Sequence, residues 1–333
     1  VAGTNTLTLD GSGYSLIVGV ISDGAGTTAL DIKGTGTWEL DSNSDSFTGG
    51  TTLDSGSLAI KGSNALGKTG SHPLTINGGT IYAYNAGRTL PAGVTTTINA
   101  DCTMGFSTSG GNALTFSGTI DLGGGTRTIV FNNSSTWNGA VSNGGVIKAD
   151  SGDNDTTLKF GSNAKTDAGP TSRRAGTIAP STTNGGTDVF SPNSAFSVAS
   201  GTTLDTAGYS EVIGSLSDYN GAGGTVHIGD LIAGVLTTGG DNTSTTFSGN
   251  IIGNGSTTPG GLVKTGTGVF TVAGTNSTFN GATSVQNGTL AVAGIGNVGV
   301  GSSSLGNPVL AASVITRGTD ATAGKLSCVG SPG

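Results

Sequence analysis

Few residues in this sequence can do chemistry, and their spacing limits what that chemistry could be. The two histidines, His72 and His227, are far apart in the chain. His72 precedes Pro73 at an expected turn, and His227 falls at an outward position of an expected strand. Neither lies near a Ser/Asp pattern that would build a nucleophilic triad, so both read as surface residues. Asp150, Asp153 and Asp155 are the tightest acidic group and read as a solvated Ser/Gly/Asn turn. Carboxylates drawn from neighbouring segments to about 5–10 Å apart would be the machinery of a polysaccharide-active enzyme. Asp41, Asn43 and Asp45 have the first half of a calcium-loop spacing. That loop requires Gly at its sixth position and Glu at its twelfth, where this chain has Ser46 and Thr52, so the metal signal is weak. No cofactor is expected, and the glycine pairs Gly34/Gly36 and Gly266/Gly268 read as turns, because no helix start follows them.

The elements that would position these groups are strands. Of 333 residues, 63 are glycine and only 10% are charged. Ser, Thr, Asn and Gly interrupt every window long enough to nucleate a helix. Short runs of β-formers alternate with Gly-rich turns throughout, as in Leu74–Ile76, Thr80–Tyr84, Thr128–Phe131 and Thr289–Val292. The net charge of −7, with 13 basic residues scattered and only Arg173–Arg174 adjacent, disfavours nucleic acid and a basic membrane face. No apolar stretch approaches the roughly 20 residues of a membrane-spanning helix.

The strands repeat. Residues 34–60 and 266–292 align without a gap, pairing Gly36 with Gly268, Trp38 with Phe270, Leu40 with Val272, Phe47 with Phe279, Gly49 with Gly281, Gly56 with Gly288 and Leu58 with Leu290. Inward positions are apolar and outward ones polar, at period two. A unit this small cannot bury its own face and must stack on the next one. The pattern resembles the autotransporter-associated β-strand repeat of bacterial surface proteins, strongly at 34–60 and 262–292. Residues 196–229 look like the segment that precedes such a repeat, and Phe247–Ile251 like its lead-in strand, whereas 85–190 match poorly. The resemblance implies an all-β fold, a right-handed parallel β-helix, exported and displayed at the cell surface. In autotransporters such a passenger precedes an outer-membrane barrel, whose alternating, aromatic-girdled strands are not read near residue 333.

The expectation is therefore one elongated β-helix over 1–333, with 161–187, which holds Pro170 and Pro180, as a candidate projecting loop. The chain has no starting Met, and residues 1–5 repeat 272–276, so it reads as a segment of a longer chain or as a subunit that stacks end to end. At roughly 20 residues and 4.8 Å per coil, Cys102 and Cys328 would lie about 50 Å apart, too far to pair. The leading functional expectation is an extracellular structural rod, not an enzyme, whose partners are further repeats or further copies. The alternatives are an adhesin that binds glycans or surfaces through exposed aromatics such as Tyr82, Tyr84 or Trp137, and a polysaccharide-active enzyme.

Overall fold

The computed structural model describes residues 3–67, 72–106, 112–151, 155–161, 165–166, 169–181, 188–229, 233–253, 259–297, 301–308, 314–318 and 324–329. Among these there is no helix, and every ladder between the named strands is parallel. The chain divides into two compact units, Val1–Asn163 and Ala164–Gly333, each a β-solenoid.

In the first unit the chain turns through three walls. One wall stacks Asn5–Leu9, Thr28–Ile32, Thr51–Leu53, Leu74–Ile76, Thr96–Ile98, Ile120–Asp121 and Val141–Ser142. A second stacks Tyr14–Ile17, Thr37–Leu40, Ser57–Ile60, Thr80–Ala83, Cys102–Met104, Thr126–Phe131 and Gly145–Asp150. The third stacks Arg88–Leu90, Leu114–Phe116, Ser135–Trp137 and Thr157–Phe160. Successive coils align like on like, so Ile32 lies over Leu53 and Leu53 over Ile76. All three are buried, as the period-two pattern requires. Part of the interior is aromatic: Trp137 has Phe160, Phe131 and Phe116 around it, with ring centroids 5.8, 6.2 and 6.4 Å away.

The second unit repeats the scheme. Its walls stack Thr171–Arg173, Ala195–Val198 and Ser215–Asp218; Thr177–Pro180, Thr203–Asp205, Thr225–His227 and Asn250–Ile252; and Glu211–Val212, Val235–Thr238, Gly261–Lys264, Thr283–Val285 and Ile315–Arg317. A further sheet stacks Thr245–Phe247, Val269–Val272, Thr289–Val292 and Lys325–Cys328. Residues 161–187, expected to lack strand, supply two of these wall strands, Thr171–Arg173 and Thr177–Pro180. Residues 162–164, 167–168 and 182–187 of that stretch lie outside the described residues.

The aligned repeat positions have one physical cause in both units. A Cβ on Gly49 would lie 2.5 Å from the Thr28 carbonyl oxygen, and one on Gly281 would lie 2.3 Å from that of Gly260. The corner of each coil passes so close to its neighbour that only a hydrogen fits. Gly56 and Gly288 hold the left-handed turn, with φ of 70° and 63°.

Thr51 and Thr96 break the apolar columns. Thr96 lies between Leu74 and Ile120 with its hydroxyl buried and unpartnered. Replacing it by the isosteric Val removes an unsatisfied polar group without opening a cavity. Thr96→Val is expected to stabilise the chain by about 1 kcal/mol, read from the shift of its denaturant midpoint. A loss of stability would mean that this hydroxyl has a partner.

Candidate functional site

The residues singled out for chemistry do not converge. In the calcium candidate, Asp41 bonds Lys61 at 2.7 Å, the Asn43 side-chain oxygen accepts the Ser63 N–H at 2.7 Å, and Asp45 accepts the Ile21 N–H at 2.7 Å. Each oxygen serves a different neighbour, and Asp45 is buried with its pKa pushed up by that burial. Among the described residues no group of three or more His, Cys, Asp or Glu could hold a metal ion. The acidic group also comes apart. Asp150 belongs to a wall strand rather than a solvated loop, Asp155 is exposed, and Asp153 lies outside the described residues. Asp150 and Lys148 form a fully buried ion pair at 2.5 Å, with the Thr156 hydroxyl 2.9 Å from the ammonium and the Phe131 ring centroid 5.4 Å away.

The histidines divide. His227 is half-buried, and its Nδ1 lies 3.3 Å from the Asp205 carboxylate, which the coil stacking places directly beside it. Strand parity gave its outward direction, but not this acidic partner from the preceding coil. His72 is not at the surface: it is 2% exposed, and neither ring nitrogen has a hydrogen-bond partner. It is turned inward at the corner beside Gly67, where a Cβ would lie 3.0 Å from its ring.

The aromatics expected to be exposed are mostly covered. Trp137 is wholly internal. Tyr82 takes the outward parity of its strand yet is only 2% exposed. Phe106 stacks on it at 4.7 Å and 25°. Tyr84 and Phe106 remain half-exposed. Both cysteines are free; Cys102 is buried, which pushes its thiol pKa up to about 12, and Cys328 is exposed.

Inward-facing charges, which the sequence reading missed, recur in the second unit. Arg173 is buried while Arg174 is exposed. Lys264 is buried with its ammonium donating to the carbonyls of Thr265, Gly266 (2.8 Å) and Asn287 (3.4 Å). Burial lowers its pKa, and Asp241 opposes that shift. Glu211 is the extreme case. Its Oε2 accepts the N–H groups of both Val189 and Phe190 at 3.0 Å, and its Oε1 has no partner. Burial outweighs these two bonds and raises its pKa to about 8.

The comparisons with known proteins meet this geometry at the repeat. Residues 33–60 and 262–292 match the family described as the passenger-associated-transport-repeat. Two stretches of the chain are thus similar to this repeat. In both, the matched residues run along wall strands and through the glycine corners described above. Such repeats imply the passenger domain of an autotransporter, point towards a secreted or cell-surface protein, and are not typically enzymatic. Neither the curated proteins nor the solved structures yield a match.

Glu211 gives a pH dependence with a fixed sign. Its folded pKa is raised, so the folded chain holds a proton that the unfolded chain releases. The stabilisation is complete below the ordinary carboxylate value and is lost as pH rises towards about 8. Relative to Glu211→Gln, the parent chain should lose stability between about pH 5 and pH 9, measured as the difference in urea midpoints. A constant difference would place the carboxylate in contact with water or a cation.

Proposed function

We propose that the chain is a scaffold segment of a surface-displayed passenger, a stiff stack of coils that grows by adding further coils. The observation that carries this reading is that the buried carboxylates are taken up by partners inside the stack, two of them by backbone N–H groups of a neighbouring coil. Asp45 ties to Ile21, Asp150 to Lys148 and Thr156, and Glu211 to Val189 and Phe190. A polysaccharide-active enzyme would need such carboxylates turned towards a groove, and these are turned inward.

The partner we propose is another coil of the same kind, supplied by the same polypeptide or by a second copy. Asn5–Leu9 and Tyr14–Ile17 each bond a neighbouring strand along one edge only among the described residues. On the first of these strands Asn5 donates to Thr27, so alternate residues such as Thr8 direct their backbone groups to the open edge. Leu7, whose register partner Leu30 is fully buried, stands 41% exposed there. An edge of this kind is a template for another strand.

Sedimentation equilibrium over a range of concentrations, with electron microscopy of the same samples, tests the proposal. The parent chain should associate, and Thr8→Pro, which removes an open-edge donor and leaves the internal ladder intact, should not. A parent chain that stays single at every concentration, or a Thr8→Pro chain that associates equally, would contradict it.

A further inference from the structure

The first unit places its aromatic side chains in two classes. Phe47, Phe116, Phe131, Trp137 and Phe160 are wholly internal, and Trp38 shares the inward column of Leu58. The rest, Tyr14, Tyr82, Tyr84 and Phe106, all follow the outer side of the wall that contains Thr80–Ala83. Tyr14 aligns with Thr37, Ser57, Thr80 and Thr103 in one outward column, and Tyr82 aligns with Ala59 and Glu39 in the next. The small Ala59 is the register neighbour of Tyr82 and leaves room beside its ring. Tyr82 thereby forms a base on which Phe106 stacks, with Tyr84 edge-on at 6.4 Å.

Beside this cluster the same outer face carries a cleft of about 390 Å³, lined in part by Thr80, Asp101, Thr103, Thr128 and Val130. Thr80 is two residues before Tyr82 on one strand, so the cleft and the base of the ring cluster share one side of the wall. The Asp101 Oδ1 accepts the Thr128 N–H at 2.8 Å, which fixes the carboxylate at the rim. Glu39 and Asp41 flank the cluster and share Lys61, at 3.1 and 2.7 Å. The face therefore combines half-exposed ring surface, a column of hydroxyls and a fixed carboxylate, with excess negative charge.

We propose that this outer face binds a neutral polysaccharide. A sugar ring offers an apolar C–H face to an aromatic ring and hydroxyls to carboxylate and threonine oxygens, and the site supplies both kinds of group together. Thr80 and Thr103 repeat at the coil spacing of about 4.8 Å, so a polymer laid along the stack meets like groups at successive coils. The carboxylates Glu39, Asp41 and Asp101 against the single Lys61 favour an uncharged polymer over an anionic one. This site is separate from the open strand edge, and its failure would leave the scaffold proposal standing.

The test is affinity electrophoresis of the whole chain in gels containing soluble β-glucan or galactomannan, with polygalacturonate as the anionic comparison. Retardation by a neutral polymer is expected, with none by polygalacturonate. Phe106→Ala and Thr103→Lys should each weaken it by about tenfold, the scale of one stacking or cleft contact. Circular dichroism checks that each variant folds. Thr103 faces outward and makes no core contact, so Thr103→Lys decides the matter if Phe106→Ala does not fold. No retardation by either neutral polymer, a preference for polygalacturonate, or undiminished binding by Thr103→Lys would each overturn the proposal.

Discussion

Everything in this protein depends on the parallel backbone ladder between successive coils. Each wall strand is only a few residues long and would not hold together alone. Stacked, its N–H and C=O groups are satisfied by the coils before and after it, and its inward side chains meet like side chains. The ladder also sets the demand for glycine. Coils approach so closely at the corners that a Cβ at Gly49 or Gly281 would strike the neighbouring backbone. The glycine content and the period-two hydrophobic pattern are thus two consequences of one spacing.

A narrow interior also governs the charges. Lys148, Lys264 and Glu211 are fully buried, and each has partners within the stack: a carboxylate and a hydroxyl for Lys148, backbone carbonyls for Lys264, and two backbone N–H groups for Glu211. Removing a partner from such a group costs more than the bond itself contributes, because the charge stays buried. Glu211 and Lys264 reach across to a neighbouring coil, through Val189 and Phe190 and through Asn287, whereas Lys148 and Asp150 pair within one coil.

The wall strands were legible in the sequence because strand parity is a local property. Leu53 and Ile76 could be turned inward from their neighbours alone, and the equivalence of 34–60 with 266–292 showed that units must stack. The corners were not legible in this way. At a corner a side chain can turn in or out whatever its parity, so His72 beside Pro73 read as surface and is buried. Glu211, on a strand of two residues, turns in to bond Val189 and Phe190. Partners from another coil are also out of reach of a linear reading, as with Asp205 beside His227. Tyr82 shows a third limit: its outward direction was readable, but its burial depends on Phe106 folding over it from the next coil.

The measurement that tests the ladder most directly is amide hydrogen exchange read by mass spectrometry across the whole chain. Peptides from wall strands such as Thr28–Ile32, Thr126–Phe131 and Val269–Val272 should be strongly protected, and should lose protection together as denaturant is added. Corner peptides between them should exchange far sooner. Uniformly fast exchange, or wall strands of one unit that open independently of their neighbours, would contradict an account in which each coil is held by the coils on either side.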